Sequence, residues 1–82
     1  MRYSKAYTSE SDCQTSAEVH PLDMTGIFCK DGDYYWANLN ITWFSDDEIM
    51  RVARRCEAKG YTLLKYSNPV TQEWHHFDIK LA

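Results

Sequence analysis

Ile27-Phe28-Cys29-Lys30-Asp31-Gly32-Asp33-Tyr34-Tyr35-Trp36-Ala37-Asn38-Leu39-Asn40-Ile41-Thr42-Trp43 is the stretch that decides the fold. Asp31-Gly32 suits a two-residue type I′ turn, in which both central residues take positive φ. The run after it alternates with period two. Tyr35, Ala37, Leu39, Ile41 and Trp43 fall on one side, and Tyr34, Trp36, Asn38 and Asn40 on the other. A two-residue turn pairs Phe28 with Tyr35 and adds Phe28 to the first side. The stretch therefore reads as a β-hairpin of residues 27–30 and 34–43, with the first side facing the core.

Downstream, Ser45-Asp46-Asp47-Glu48 has the form of a capping box. The serine hydroxyl accepts from the N3 amide, and the acids sit at the positive end of the helix dipole. The helix is expected to run to about Lys59 and to stop at Gly60, a natural residue for the left-handed turn that closes a helix. On a 100° wheel Ile49, Val52, Ala53 and Cys56 share one face, while Arg51, Arg54, Arg55 and Lys59 share the other. Asp47 stands four residues before Arg51 and offers one pair. Two further strands are expected, at 61–66 and 74–81, joined by the turn-forming run 67–72. In the last of them His75, Phe77, Ile79 and Leu81 alternate with Trp74, His76, Asp78 and Lys80.

Upstream, residues 2–8 alternate well enough for an edge strand with Tyr3 and Tyr7 on one face. Ser9-Glu10-Ser11-Asp12 reads as a loop, and Pro21 and Gly26 bracket an irregular approach to the hairpin. The fold class is α+β. An antiparallel sheet of about four strands (ββαββ, with room for one extra N-terminal strand) carries one amphipathic helix on one face.

The 82 residues make a single domain over positions 1–82. At 44% hydrophobic and 15% aromatic the composition is that of a folded chain. A domain this small buries only about 60% of its unfolded surface, so its core is thin. No run approaches the ~20 apolar residues of a membrane span, and Met1-Arg2-Tyr3-Ser4-Lys5 does not open an apolar leader. Cys13, Cys29 and Cys56 are odd in number and without CxxC spacing, which favours reduced thiols and a cytoplasmic setting over a disulfide framework. Asn40-Ile41-Thr42 matches a glycosylation sequon, which has no meaning off a secretory route.

The formal charge is −3. Residues 1–44 hold three basic groups against six acidic ones, whereas residues 45–82 hold six of each. This balance does not by itself point to nucleic acid.

One helix covers one face of a four-stranded sheet. The other face then carries Tyr34, Trp36, Trp74 and His76, with Ile27 and Cys29 nearby. Exposed aromatic patches mark interaction sites, and Tyr and Trp lead the hot-spot residues. The expectation is a patch at least partly open to a partner. The competing reading is that the N-terminal segment, with Tyr3, Tyr7, Val19, Leu22 and Met24, folds over it.

Chemistry is hard to assemble from what remains. His75 and His76 are adjacent on a strand and point to opposite faces, so they do not chelate one ion, and no zinc spacing recruits a cysteine. There is no GxSxG and no phosphate-cradling glycine pattern among three glycines. The acids at 46–48 and 31–33 are accounted for by a helix cap and a turn. The chain is expected to be no enzyme, with no catalytic residues, cofactor or metal. In profile, compact, acidic and without chemistry, it resembles the small phage and mobile-element proteins that block host complexes, anti-CRISPR and anti-restriction proteins among them. That resemblance covers no stretch of sequence.

The expected function is therefore a stoichiometric protein-binding module, an inhibitor or adaptor. Tyr34, Trp36, Trp74 and His76 would be its contact residues, and Asp31 and Asp33 would steer a basic groove on the partner. Two alternatives stay open. One is a nucleic-acid-binding regulator using Arg51, Arg54, Arg55 and Lys59, although four such cations are more often a solvated helix face. The other is a homodimeric subunit that spends the aromatic face on itself.

Overall fold

The computed structural model describes residues 1–20, 24–41, 45–67 and 73–78. Its elements are α1 (Glu10–Glu18), β1 (Thr25–Lys30), β2 (Asp33–Asn38), α2 (Asp46–Glu57), β3 (Thr62–Ser67) and β4 (Trp74–His76). The class is α+β, and the four strands form one antiparallel sheet in the order β2-β1-β3-β4. β2 and β3 are both antiparallel to β1 and hence parallel to each other, so α2 carries the chain across β1.

The hairpin forms as its residues dictate. Phe28 pairs with Tyr35, and the turn residues Asp31 and Gly32 take φ of 53° and 85°. The second strand is shorter than its alternation suggested. It ends at Asn38, whose Oδ1 accepts the Asn40 backbone N–H at 2.7 Å, and Asn40 takes φ 56°. This local side-chain turn competes with the ladder and wins. Positions 42 and 43 of that expected strand lie outside the described residues, as do 68–72 of the expected turn. β4 spans three residues, and positions 79–81 of its expected length also lie outside them.

α2 follows its caps. Ser45 Oγ accepts from the Glu48 N–H at 3.2 Å. At the far end Gly60 takes φ 91°, its N–H reaches the Glu57 carbonyl at 2.9 Å, and the Tyr61 N–H reaches the Cys56 carbonyl at 3.0 Å. These are the paired bonds of a Schellman closure. Ile49, Val52, Ala53 and Cys56 are all buried against Phe28, Ala37, Leu39 and Leu63. Gly26, paired with Ala37, leaves room for this packing: a Cβ there would meet Leu39 Cδ2 at 2.8 Å and Leu63 Cδ1 at 2.9 Å. Arg51 pairs with Glu48 at 3.6 Å, one turn away, and not with Asp47.

Three expectations about the N-terminal part are corrected. First, residues 9–12 are no loop but the cap and first turn of a helix that runs from Glu10 to Glu18: Ser9 Oγ accepts the Asp12 N–H at 3.0 Å, and Glu10 and Asp12 lie in the first turn. α1 escaped notice because it buries only Cys13 and Ala17 and so shows no apolar stripe. Second, the sheet has a helix on both faces, since α1 packs on β2 and β1 opposite α2. Third, Tyr3 and Tyr7 point to opposite faces. Tyr3 bridges to Ala37 and Tyr7 to Tyr34 along the β2 edge, so four steps in one segment face three in the other. The odd residue reverses the side, as in a bulge. Near it the Trp36 N–H is met by Ser4 Oγ at 2.9 Å in place of a backbone carbonyl.

A second irregularity lies in β3. Ile27 pairs with Lys65 but Phe28 with Leu63, which leaves Leu64 as the extra residue. Leu63 and Tyr66 therefore both face α2, three apart, while Lys65 faces α1.

Candidate functional site

The aromatic face proposed from the sequence is roofed by α1. Ser16 Oγ accepts the Tyr7 hydroxyl at 2.7 Å and the Trp36 Nε1–H at 3.0 Å. Beyond the helix end His20 stacks on Trp36 with ring centroids 4.9 Å apart. Trp74 Nε1–H donates to Glu18 Oε2 at 3.0 Å. Lys65, its side chain only 11% exposed, reaches Glu10 Oε2 at 2.8 Å and Gln14 Oε1 at 2.7 Å. Beneath these contacts Cys13 and Ile27 have no exposed surface. Burial first, then the charge of Glu10, pushes the Cys13 thiol up to about 11 against a smaller opposing effect of Lys65.

Nor do the expected contact residues form one patch. Trp36 and His76 lie on the same face but on β2 and β4, at opposite edges, with Ile27 and Lys65 paired between them. Three strand spacings put them about 14 Å apart. Tyr34, Trp36 and Trp74 are half-buried and His76 is exposed. Asp31 stands exposed in the hairpin turn, and Asp33 beside it is half-buried. The sheet was expected to be open here because α1, the element that covers it, reads as polar.

The expected alternative site has a different setting. Arg51, Arg54, Arg55 and Lys59 are all exposed on α2. Arg51, Arg55 and Lys59 stand four residues apart and form one wall of a cleft of about 300 Å³. The half-buried Tyr3 and Ile41 line it too, with Glu48 at the start of the row and only the edges of the buried Leu39, Val52 and Cys56. The Asn38–Asn40 turn that ends β2 brings Ile41 round to this position. Tyr3 is held flat on Tyr61, ring centroids 3.7 Å apart and planes 7° from parallel. Burial, and after it the adjacent Cys56, raises the Tyr3 hydroxyl above its ordinary range, so it stays neutral. The lining thus joins neutral groups, chiefly Tyr3 and Ile41, to a row of three cations that begins beside one acid, Glu48.

No family model, curated protein or solved structure matches this chain. The geometry alone must carry the functional reading. Among the described residues no group of three or more His, Cys, Asp or Glu is placed to hold a metal ion, and no helix is long and apolar enough to cross a membrane. Arg51 has its pair with Glu48, in which both side chains are largely exposed at 72% and 41%, a geometry that contributes little. Among the described residues no ion pair joins Arg54, Arg55 or Lys59 to an acid. Arg54 lies on the same helix outside the cleft lining.

Sequence reasoning had Arg51, Arg55 and Lys59 as a solvent-facing row and Leu39 and Ile41 as core. Both hold, since Leu39 is buried in the core and Ile41 packs against it; what sequence reasoning does not show is that they and the cations line one cleft. Tyr3 completes the cleft only because the first residues lie along β2, and no local signal announces that docking.

Proposed function

We propose that this chain is a stoichiometric protein-binding module without chemistry of its own, an inhibitor or adaptor, and that it meets its partner at the cleft beside α2. The observation that supports this is a row of three cations that shares one cleft with the half-buried Tyr3 and Ile41. Like charges at i,i+4 cost a helix a few tenths of a kcal/mol each, and the helix dipole offsets this for Arg55 in the last turn and Lys59 just past it, so the support lies in the cleft that the row lines. At about 300 Å³ the cleft is at the small end of ligand sites. It suits a hot-spot pocket within a larger contact. Tyr34, Trp36 and Trp74 act in this reading as the seat of α1, and a homodimer through them would require α1 to leave.

A photo-crosslinking residue tests the reading. Placed at Lys59 on the cleft rim, it is expected to yield a defined protein adduct in cell lysate; placed at Thr15 on exposed α1, it is expected to yield none. Nucleic-acid adducts at Lys59 would transfer the cleft to the second reading, a nucleic-acid-binding regulator, which the same cationic row favours. Equal protein adducts at both positions would remove the cleft from the proposal.

A further inference from the structure

The cleft described above also constrains what kind of segment it holds. Its cationic wall advances by four residues of helix per charge, about 6 Å. An extended chain places every second side chain on the same side at a spacing of about 6.6 Å. The two periods agree closely enough for long Arg and Lys side chains to absorb the difference over the span of Arg51, Arg55 and Lys59. In such a chain the intervening side chains point the other way, toward Tyr3 and Ile41.

Resting on the reading of the cleft as a protein-binding site, we infer that its occupant is an extended segment of the partner in which carboxylates alternate with apolar side chains. The carboxylates lie along Arg51, Arg55 and Lys59, and the apolar side chains lie on Tyr3 and Ile41. A duplex phosphate backbone brings charge on every unit and nothing apolar to bury here, whereas the bases of a single strand stack on aromatic rings, and the oligothymidine arm below separates that ligand. Arg55 and Lys59 meet no acid of the chain's own among the described residues, so no internal pair has to break before they bind. Glu48 lines the cleft at the start of the row and competes for Arg51, so the acidic occupant is drawn chiefly to Arg55 and Lys59.

Fluorescence anisotropy with the full chain tests this, using a labelled, end-blocked hexapeptide alternating aspartate and leucine. It is expected to bind with saturation. An asparagine–leucine version and an aspartate–glycine version are each expected to bind about tenfold more weakly, about 1.4 kcal/mol. A triple variant, Arg51→Glu with Arg55→Glu and Lys59→Glu, is expected to lose the peptide and to gain one alternating lysine and leucine. Arg54→Glu is expected to change affinity by less than twofold. All four positions are exposed, and circular dichroism confirms that the variants fold.

Equal binding of the asparagine–leucine peptide, tighter binding of oligothymidine through the same three cations, or undiminished binding by the triple variant each overturns the inference. So does the absence of binding to every peptide while the Lys59 crosslink still captures a protein, and in that case the functional proposal stands. If the crosslink captures nothing either, both fall.

Discussion

α2 meets the sheet through Ile49, Val52, Ala53 and Cys56, all buried. α1 meets the other face through Cys13 and Ala17, and is otherwise seated by Ser16, Glu18, Glu10 and Gln14 on named polar partners. The first contact is non-directional and scales with apolar area. The second depends on donors and acceptors arriving at particular places, and each bond adds only about 1 kcal/mol net. The same sheet thus holds one helix by burial and the other by specific hydrogen bonds. Contacts of the second kind are the ones sequence patterns do not reveal.

Breaking the α2 side should cost most. Ile49→Ala deletes a side chain with 1% exposure from the centre of the core and should lower unfolding stability by about 2–5 kcal/mol. Urea denaturation measures it, and a loss under 1 kcal/mol would mean that α2 is not held by burial.

The α1 side should show itself in alkali. A thiol is neutral when protonated, and Cys13 titrates at about 11, above its ordinary value near 9. The stability this contributes is full below pH 9 and is lost as pH rises through 11, an amount on the order of 2 kcal/mol. Tyr3, also raised, adds to the same alkaline loss from the other face. Comparing stability–pH curves with those of Cys13→Ala isolates the α1 share, and superimposable curves would assign all of it elsewhere.

Ser16→Ala removes the one acceptor shared by Tyr7 and Trp36 and should cost about 1–2 kcal/mol. Amide hydrogen exchange should quicken across Glu10–Glu18 and stay unchanged across Asp46–Glu57. Uniform acceleration would show that the two helices open as one unit. The smallest effect expected is that of Lys65→Met, about 1 kcal/mol, because Glu10 is partly exposed and can turn to water. Thermal unfolding measures it, and a rise in stability would mean that the pair serves specificity more than strength.

The hairpin, α2 and its caps were legible because each depends on residues near one another in sequence. Asp31-Gly32 demands its turn, Ser45 its amide, and Gly60 its left-handed closure. Gly26 was legible only as a loop signal. Its role as the place where Leu39 and Leu63 approach closely emerges from packing. The candidate site divided in the same way. The cations were visible as a row, but the cleft was not, because its far wall comes from the first three residues and from the turn after β2.

What the sequence by itself determined is the local grammar: the class, the hairpin register, the amphipathic helix and its exposed cations, all set by periods of two and 3.6 residues and by caps. Only the tertiary structure decided which helix roofs the aromatic face, which way Tyr3 and Tyr7 turn, and what lines the cleft beside the cations. One extra residue in an edge pairing reverses a side chain, and two small buried residues with a few directed hydrogen bonds seat a helix. Neither leaves a periodic trace in the chain, since both are settled by contacts between segments far apart in sequence.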